Sequence, residues 1–321
     1  MLFTGKKILY LNEVFNTYQA NIMKIHKSTP IYTFLIFSMA LWGCSESESP
    51  VQGEPEVVTS GFQFTEGPYW HPDGYLLFSD IPASIIYKWT PGKEESEIYI
   101  EPSGNSNGIN AMPDGTIIVA QHAGRVSEID ENDELVPIME EFEGMRLNSP
   151  NDLIARSDGL IYFTDPDFGV SDEDKELDFS GVYRINQDGT LTVIYDEFAL
   201  PNGIAFSPDE SRLYINDSAT GQIIHMDVLE NGDVDNPRPF ANVGEMGELG
   251  GADGMVTDSD GRLYTTGPNG FIVFDSTGVQ VHQIRFDHQI TNLAWGGSDK
   301  SELYITSPND VYRLKMNTQG W

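Results

Sequence analysis

Six segments of this chain share one pattern: a polar residue, a short apolar stretch, a tight turn and a second apolar stretch. They are TEGPYWHPDGYLLFSD (65–80), SNGINAMPDGTIIVAQ (106–121), PNDLIARSDGLIYFTD (150–165), PNGIAFSPDESRLYIND (201–217), ADGMVTDSDGRLYTTG (252–267) and TNLAWGGSDKSELYIT (291–306). The turn aspartates, Asp73, Asp114, Asp158, Asp209, Asp260 and Asp299, follow one another at intervals of 41, 44, 51, 51 and 39 residues. A repeat of this length constrains the fold more than any other feature, because each unit buries its apolar faces only by stacking on its neighbours.

The period suits a four-stranded propeller blade, and Asp-Gly between β-rich runs is a strong hairpin signal. Third strands are expected at 85–89, 125–129, 181–185, 222–226, 270–274 and 310–314, with a weaker fourth strand such as 191–196. The sixth unit lacks room for a fourth strand, so the N-terminal stretch Glu56–Thr59 is expected to supply it. The fold class read here is all-β: a six-bladed β-propeller over residues 56–321, closed by an N-terminal strand. A parallel βαβ fold is excluded by the lack of amphipathic helices between the strands.

The first 43 residues read as an address. Lys24 and Lys27 precede the apolar run 31–41, which is too short for an ordinary membrane span, and Leu41-Trp42-Gly43-Cys44 resembles a lipobox. Residues 1–43 are therefore expected to be a lipoprotein-type signal peptide, with Met23 an alternative start. Cys44 is the expected lipidation site, and 44–55 a flexible acidic tether. The implied location is the cell envelope, membrane-anchored through Cys44. This is the chain's one cysteine, so a disulfide framework and a Cys-based zinc site are excluded. A net charge of −32, from 50 acidic and 18 basic residues, argues against nucleic acid as a partner. No feature calls for an oligomer, and a monomer is expected.

Seven residues before each turn aspartate stand Glu66, Asn107, Asn151, Asn202, Asp253 and Asn292. Every one carries a side-chain oxygen. Equivalent residues of a propeller's innermost strands converge on its axis, so these six form a ring. Asn before Gly is also ordinary turn chemistry, but Glu and Asp in a narrow channel need a partner. No Lys or Arg occupies the register. The natural partner is a divalent cation, with Ca²⁺ the expected ion for all-oxygen donors. Fourteen residues beyond the ring positions lie Asp80, Gln121, Asp165, Asp217 (after a one-residue longer turn), Gly267 and Thr306, expected to form a second polar tier around the first. His122 stands beside it.

Taken together, EGPYW, LLFSDIP, RLNSPNDL, IYFTDPDFG, LPNGIAFSPD, ADGM and TNLAWGG resemble the SMP-30/gluconolactonase (regucalcin-like) family over about 255 residues. The resemblance implies a metal-dependent lactonase with the ion in the channel. Its metal ligands would be Glu66, Asn202 and Asp253, with Asn151 close to metal and substrate. Asp253 is the first candidate base and His122 the second. Substrate contacts are expected from Asn107, Asn151, Arg146 and Asp165. Some family members carry an arginine just before the segment corresponding to PND; here Ser149 stands there and Arg146 lies further back. Two other readings are a non-enzymatic propeller that uses the metal for stability while binding a partner, and a related propeller acting on organophosphate esters.

Overall fold

A computed structural model describes residues 49–321. The signal segment, Cys44 and the chain up to residue 48 lie outside it. Six four-stranded antiparallel sheets follow one another along the chain, five in simple sequential order. Their innermost strands are Thr65–His71, Ser106–Ala111, Leu153–Ala155, Pro201–Phe206, Met255–Thr257 and Asn292–Gly296. Each packs on the next, and the sixth on the first, so the sheets are six blades around one channel. A small hairpin, Glu141–Phe142 with Met145–Arg146, is added between blades 2 and 3.

The turns explain the repeat. In blades 1, 2, 3 and 5 the residue after the turn aspartate is a glycine with φ between 79° and 94°. Blades 4 and 6 place Glu210 and Lys300 there instead, at φ 54° and 56°. Asp114, Asp158, Asp209 and Asp299 each accept the backbone N–H two residues ahead. That Asx turn explains why aspartate opens the hairpin whether or not glycine follows.

Between blades, tyrosines of the second strands reach the inner strand of the neighbour. Tyr162 packs edge-on to Phe206, Tyr264 edge-on to Trp295, and Tyr304 stacks on Trp70 at 4.9 Å. These tyrosines are almost wholly buried, and their hydroxyls bond Gly232 O, Asp258 and Glu302 respectively. Buried aromatic pairs of this kind add about 0.5–1.5 kcal/mol each beyond area burial.

Closure occurs as expected, with one boundary corrected. Val51–Ser60 forms the outer strand of blade 6, antiparallel to Asp310–Met316, with Arg313 bonding Glu56 at 2.8 Å. Residues 51–55 are therefore strand, not tether. The pattern here is polar because an outermost strand buries little, so composition alone reads it as linker. A second fastening lies at the turn end of the channel, where residues 317–321 cross from blade 6 to blade 5. Asn317 N–H bonds Pro50 O, Gly320 N–H bonds Lys300 O, and the Trp321 indole N–H bonds Thr257 Oγ1 at 2.6 Å.

Candidate active site

The ring exists. Glu66, Asn107, Asn151, Asn202, Asp253 and Asn292 are all buried at the start of, or just before, the six inner strands. Blade-to-blade bonds fix the backbone beneath them. Ser79 Oγ donates to Asn107 O, Thr164 Oγ1 to Asn202 O, and the Asn216 amide to Asp253 O. Gly108 N–H bonds Asn151 O. Blades approach this closely because glycine follows the ring residue in four of them. A Cβ on Gly67 would fall 1.9 Å from Asn107 O, and one on Gly203 2.2 Å from Asp253 O. In blades 1, 2 and 4 the strand register also shifts just after the ring residue, a local bulge that re-aims side chains beside a site.

Inside the ring, Glu66 Oε2 accepts Gly67 N–H at 2.9 Å and the Asn292 amide at 3.0 Å. Asp253 contacts both Glu66 and Asn202. Burial pushes the Glu66 carboxyl up to about 7, against those hydrogen bonds. Burial also raises Asp253 well above the carboxylate range, and the Glu66 charge beside it adds to the rise. No basic side chain offsets either. Asn202 Oδ1 and Asn107 Oδ1 are buried with no hydrogen-bond partner. Among the described residues no three His, Cys, Asp or Glu side chains form a ligand cluster by themselves. Two adjacent carboxylates with partnerless amide oxygens nevertheless have the chemistry of a hard-cation site.

Asp152 was missed by counting. It follows Asn151, where four other blades have glycine, and its Oδ1 accepts the Leu153 N–H at 2.9 Å. Burial raises it to about 7, and its charge raises both Glu66 and Asp253 further. The visible signal was the departure of PND from the PNG pattern. Ser79, Thr164 and Asn216 were missed too; each precedes a second-tier aspartate.

The second tier does not surround the first, and this corrects the reading of Asp165 as a substrate contact. The tier sits one strand further from the axis, and its three aspartates cap the connection arriving from the previous blade. Asp80 accepts the N–H groups of Gln63 and Phe64, Asp165 that of Asn148, and Asp217 that of Leu200. Asp165 is completely buried, and burial raises it to about 7, opposed by its backbone N–H donors.

His122 does reach the ring: its Nε2 lies 3.1 Å from Asn107 Nδ2. Burial lowers it to about 4, so the imidazole is neutral at neutral pH. With the amide donating to Nε2, the ring proton sits on Nδ1. Arg146 packs its guanidinium over Gly124, two residues past His122, and bonds Asn148 O. Ser149 Oγ accepts Gly169 N–H at 2.8 Å, which seats the loop after Asp165 directly on His122. On the turn side of the ring the channel widens to a cavity of about 570 Å³, walled by aliphatic residues of the inner strands and by Trp70, Trp295 and Trp321.

The chain is thus a six-bladed β-propeller whose channel is crossed by a mixed carboxylate–amide ring, and similarity to known proteins narrows the class further. Residues 64–309 match the model of the SMP-30/Gluconolactonase/LRE-like region. The gluconolactonase of Zymomonas mobilis is 34% identical over 83% of this chain and 82% of its own length. The pentonolactonase XacC of Haloferax volcanii is 28% identical over 78% of this chain and 84% of its own. The solved gluconolactonase of Xanthomonas campestris superposes with a TM-score of 0.76 at 27% identity, covering 83% of this chain and 91% of that one. The chain belongs to the SMP-30/gluconolactonase family.

Proposed function

We propose that this protein is a metal-dependent lactonase that opens a lactone to its hydroxy acid. The observation that carries the reading is the pair Glu66 and Asp253 in a channel without basic partners, beside the partnerless Asn202 Oδ1. The lactonase names of its relatives support the reaction. Glu66, Asn202 and Asp253 would hold the cation, with Asn151 beside them and Ca²⁺ the expected ion. Once bound, the cation supplies Lewis-acid polarisation of the lactone carbonyl.

The chain's own residues do the rest. Asn107, Asn151 and Arg146 orient the lactone at the ring. Asp253 takes a proton from water as the water oxygen bonds to the carbonyl carbon. The ring C–O bond then breaks, and the departing alkoxide takes that proton to become the hydroxyl group. Asp253 is preferred to His122 as base because burial holds His122 at about 4 and its Nε2 already faces the Asn107 amide. Lipidation of Cys44 would hold this activity at the cell envelope, which intact mass of the membrane fraction tests.

The deciding experiment is a lactone panel assayed with chelator and with Ca²⁺ added back. Turnover that vanishes and returns supports the reading. Persistent turnover in chelator removes the metal from it. Absence of turnover on every lactone, with a large chelator-induced loss of thermal stability, supports the non-enzymatic propeller instead.

A further inference from the structure

The two longest intervals between turn aspartates, 51 residues each, hold insertions that the blade pattern does not need. One is the loop between the second and third strands of blade 3, after Asp165; the other joins blade 4 to blade 5, between Asn242 and Met255. Both lie at the end of the molecule where the inner strands begin, which is the ring's own face. Each presents large apolar side chains to solvent: Phe168 is 44% exposed, Met246 46% and Leu249 37%. Other exposed hydrophobics, such as Val57, Ile98, Val136 and Val281, ride singly on outermost strands.

These three residues sit on loops that run beside the candidate catalytic groups. Gly169, next to Phe168, packs so closely on His122 that a Cβ there would lie 2.7 Å from the His122 Cβ. Met246 folds back on Gly251, two residues before Asp253, and Leu249 O accepts the Asn269 N–H. His122 belongs to blade 2 and Asp253 to blade 5. These blades are three apart in a ring of six, so the two loops rise on opposite sides of the mouth. The blade 3 loop is well tied: Lys175 bonds Asp167 at 2.7 Å, Glu176 accepts the Arg146 N–H, and Asn148 bonds Phe179 O. An apolar side chain held rigidly at the edge of a polar site is a contact surface, not a loose loop tip.

Resting on the lactonase reading, we infer that Phe168, Met246 and Leu249 form an apolar rim that selects lactones carrying an alkyl or aryl substituent over those whose ring bears only hydroxyl groups or nothing. The polar ring takes the ester, and the rim takes the substituent. A methylene moved from water onto such a surface is worth about fourfold when fully buried, so partial burial of a five-carbon chain gives at least tenfold.

The test compares kcat/KM for an unsubstituted δ-lactone, the same lactone with a pentyl substituent, and glucono-δ-lactone. It is run on the wild type, on Phe168→Ser, and on the triple variant Phe168→Ser, Met246→Ser, Leu249→Ser. The expected result is a wild-type preference for the pentyl lactone of at least tenfold over both others, falling toward one in the triple variant and partway in Phe168→Ser. Turnover without that preference, or a preference the serine variants retain, overturns the rim while leaving the lactonase reading intact. A wild type that opens no lactone overturns both. The chain-length preference is read on the wild type, so the inference remains falsifiable if the triple variant does not fold.

Discussion

Two sets of buried polar side chains stand about fourteen residues apart in the repeat, and they have opposite fates. The inner set holds Glu66 and Asp253; the outer set holds Asp80, Asp165 and Asp217. Burial is nearly the same, from fully buried Asp165 to Asp253 at 7% exposed. What differs is the neighbour. The outer carboxylates meet backbone N–H groups of an incoming loop, with Asp165 Oδ1 left without a partner. In the inner ring Glu66 also accepts Gly67 N–H and the Asn292 amide, but it lies against a second carboxylate, Asp253, and Asn202 Oδ1 has no partner. A buried carboxylate that caps a loop is architecture, whereas two set against each other without a basic partner call for a cation.

The largest effect should come from the inner set. Asp253→Ala is expected to lower kcat/KM by about a thousandfold or more and to abolish metal binding in calorimetry, while the far-UV CD spectrum is unchanged. Full activity in this variant would break the comparison at its centre. The outer set should behave conversely. Asp217 serves Leu200 N–H, Ala219 N–H and the Thr220 hydroxyl. Asp217→Ala should therefore cost about 3–5 kcal/mol in urea unfolding and leave metal affinity unaltered.

A pH test sharpens the same contrast. Burial raises Asp165 from 3.8 to about 7 in the folded protein. A raised folded value means the native state holds this proton more tightly than the unfolded chain. The resulting stability is present in full below about pH 4 and is lost as pH rises to about 7. Asp165→Asn should flatten that decline by about 2–4 kcal/mol, seen as a smaller difference between thermal melts at pH 4.5 and pH 7.5. The smallest effect is expected at the opposite end of the channel. Removing residues 317–321 deletes the Trp321–Thr257 and Gly320–Lys300 bonds and should cost about 1–2 kcal/mol. Metal affinity should not change.

Much of this was legible in the chain itself. The turn aspartates marked the hairpins because, in four of the six blades, that side chain closes an Asx turn regardless of the tertiary setting. The ring residues were found at one fixed offset because a hairpin strand keeps its register. Asp165 misled because counting gives distance along a strand and not what a loop from another blade brings to it. The polar residues 51–55 misled in the same way, since their partner is Asp310–Met316 at the far end of the chain. Asp152 stood in plain sight, but its weight depends on proximity to Glu66 and Asp253.

By itself, then, the sequence determined the blade count, the hairpins and the six oxygen-bearing positions, because these follow from local turn chemistry and a repeat that must stack. Only the tertiary structure decided which buried carboxylates cap a loop, which face each other, and which loops rise beside them. Those outcomes depend on hydrogen-bond donors and charges from segments up to hundreds of residues away, and no local pattern carries that information.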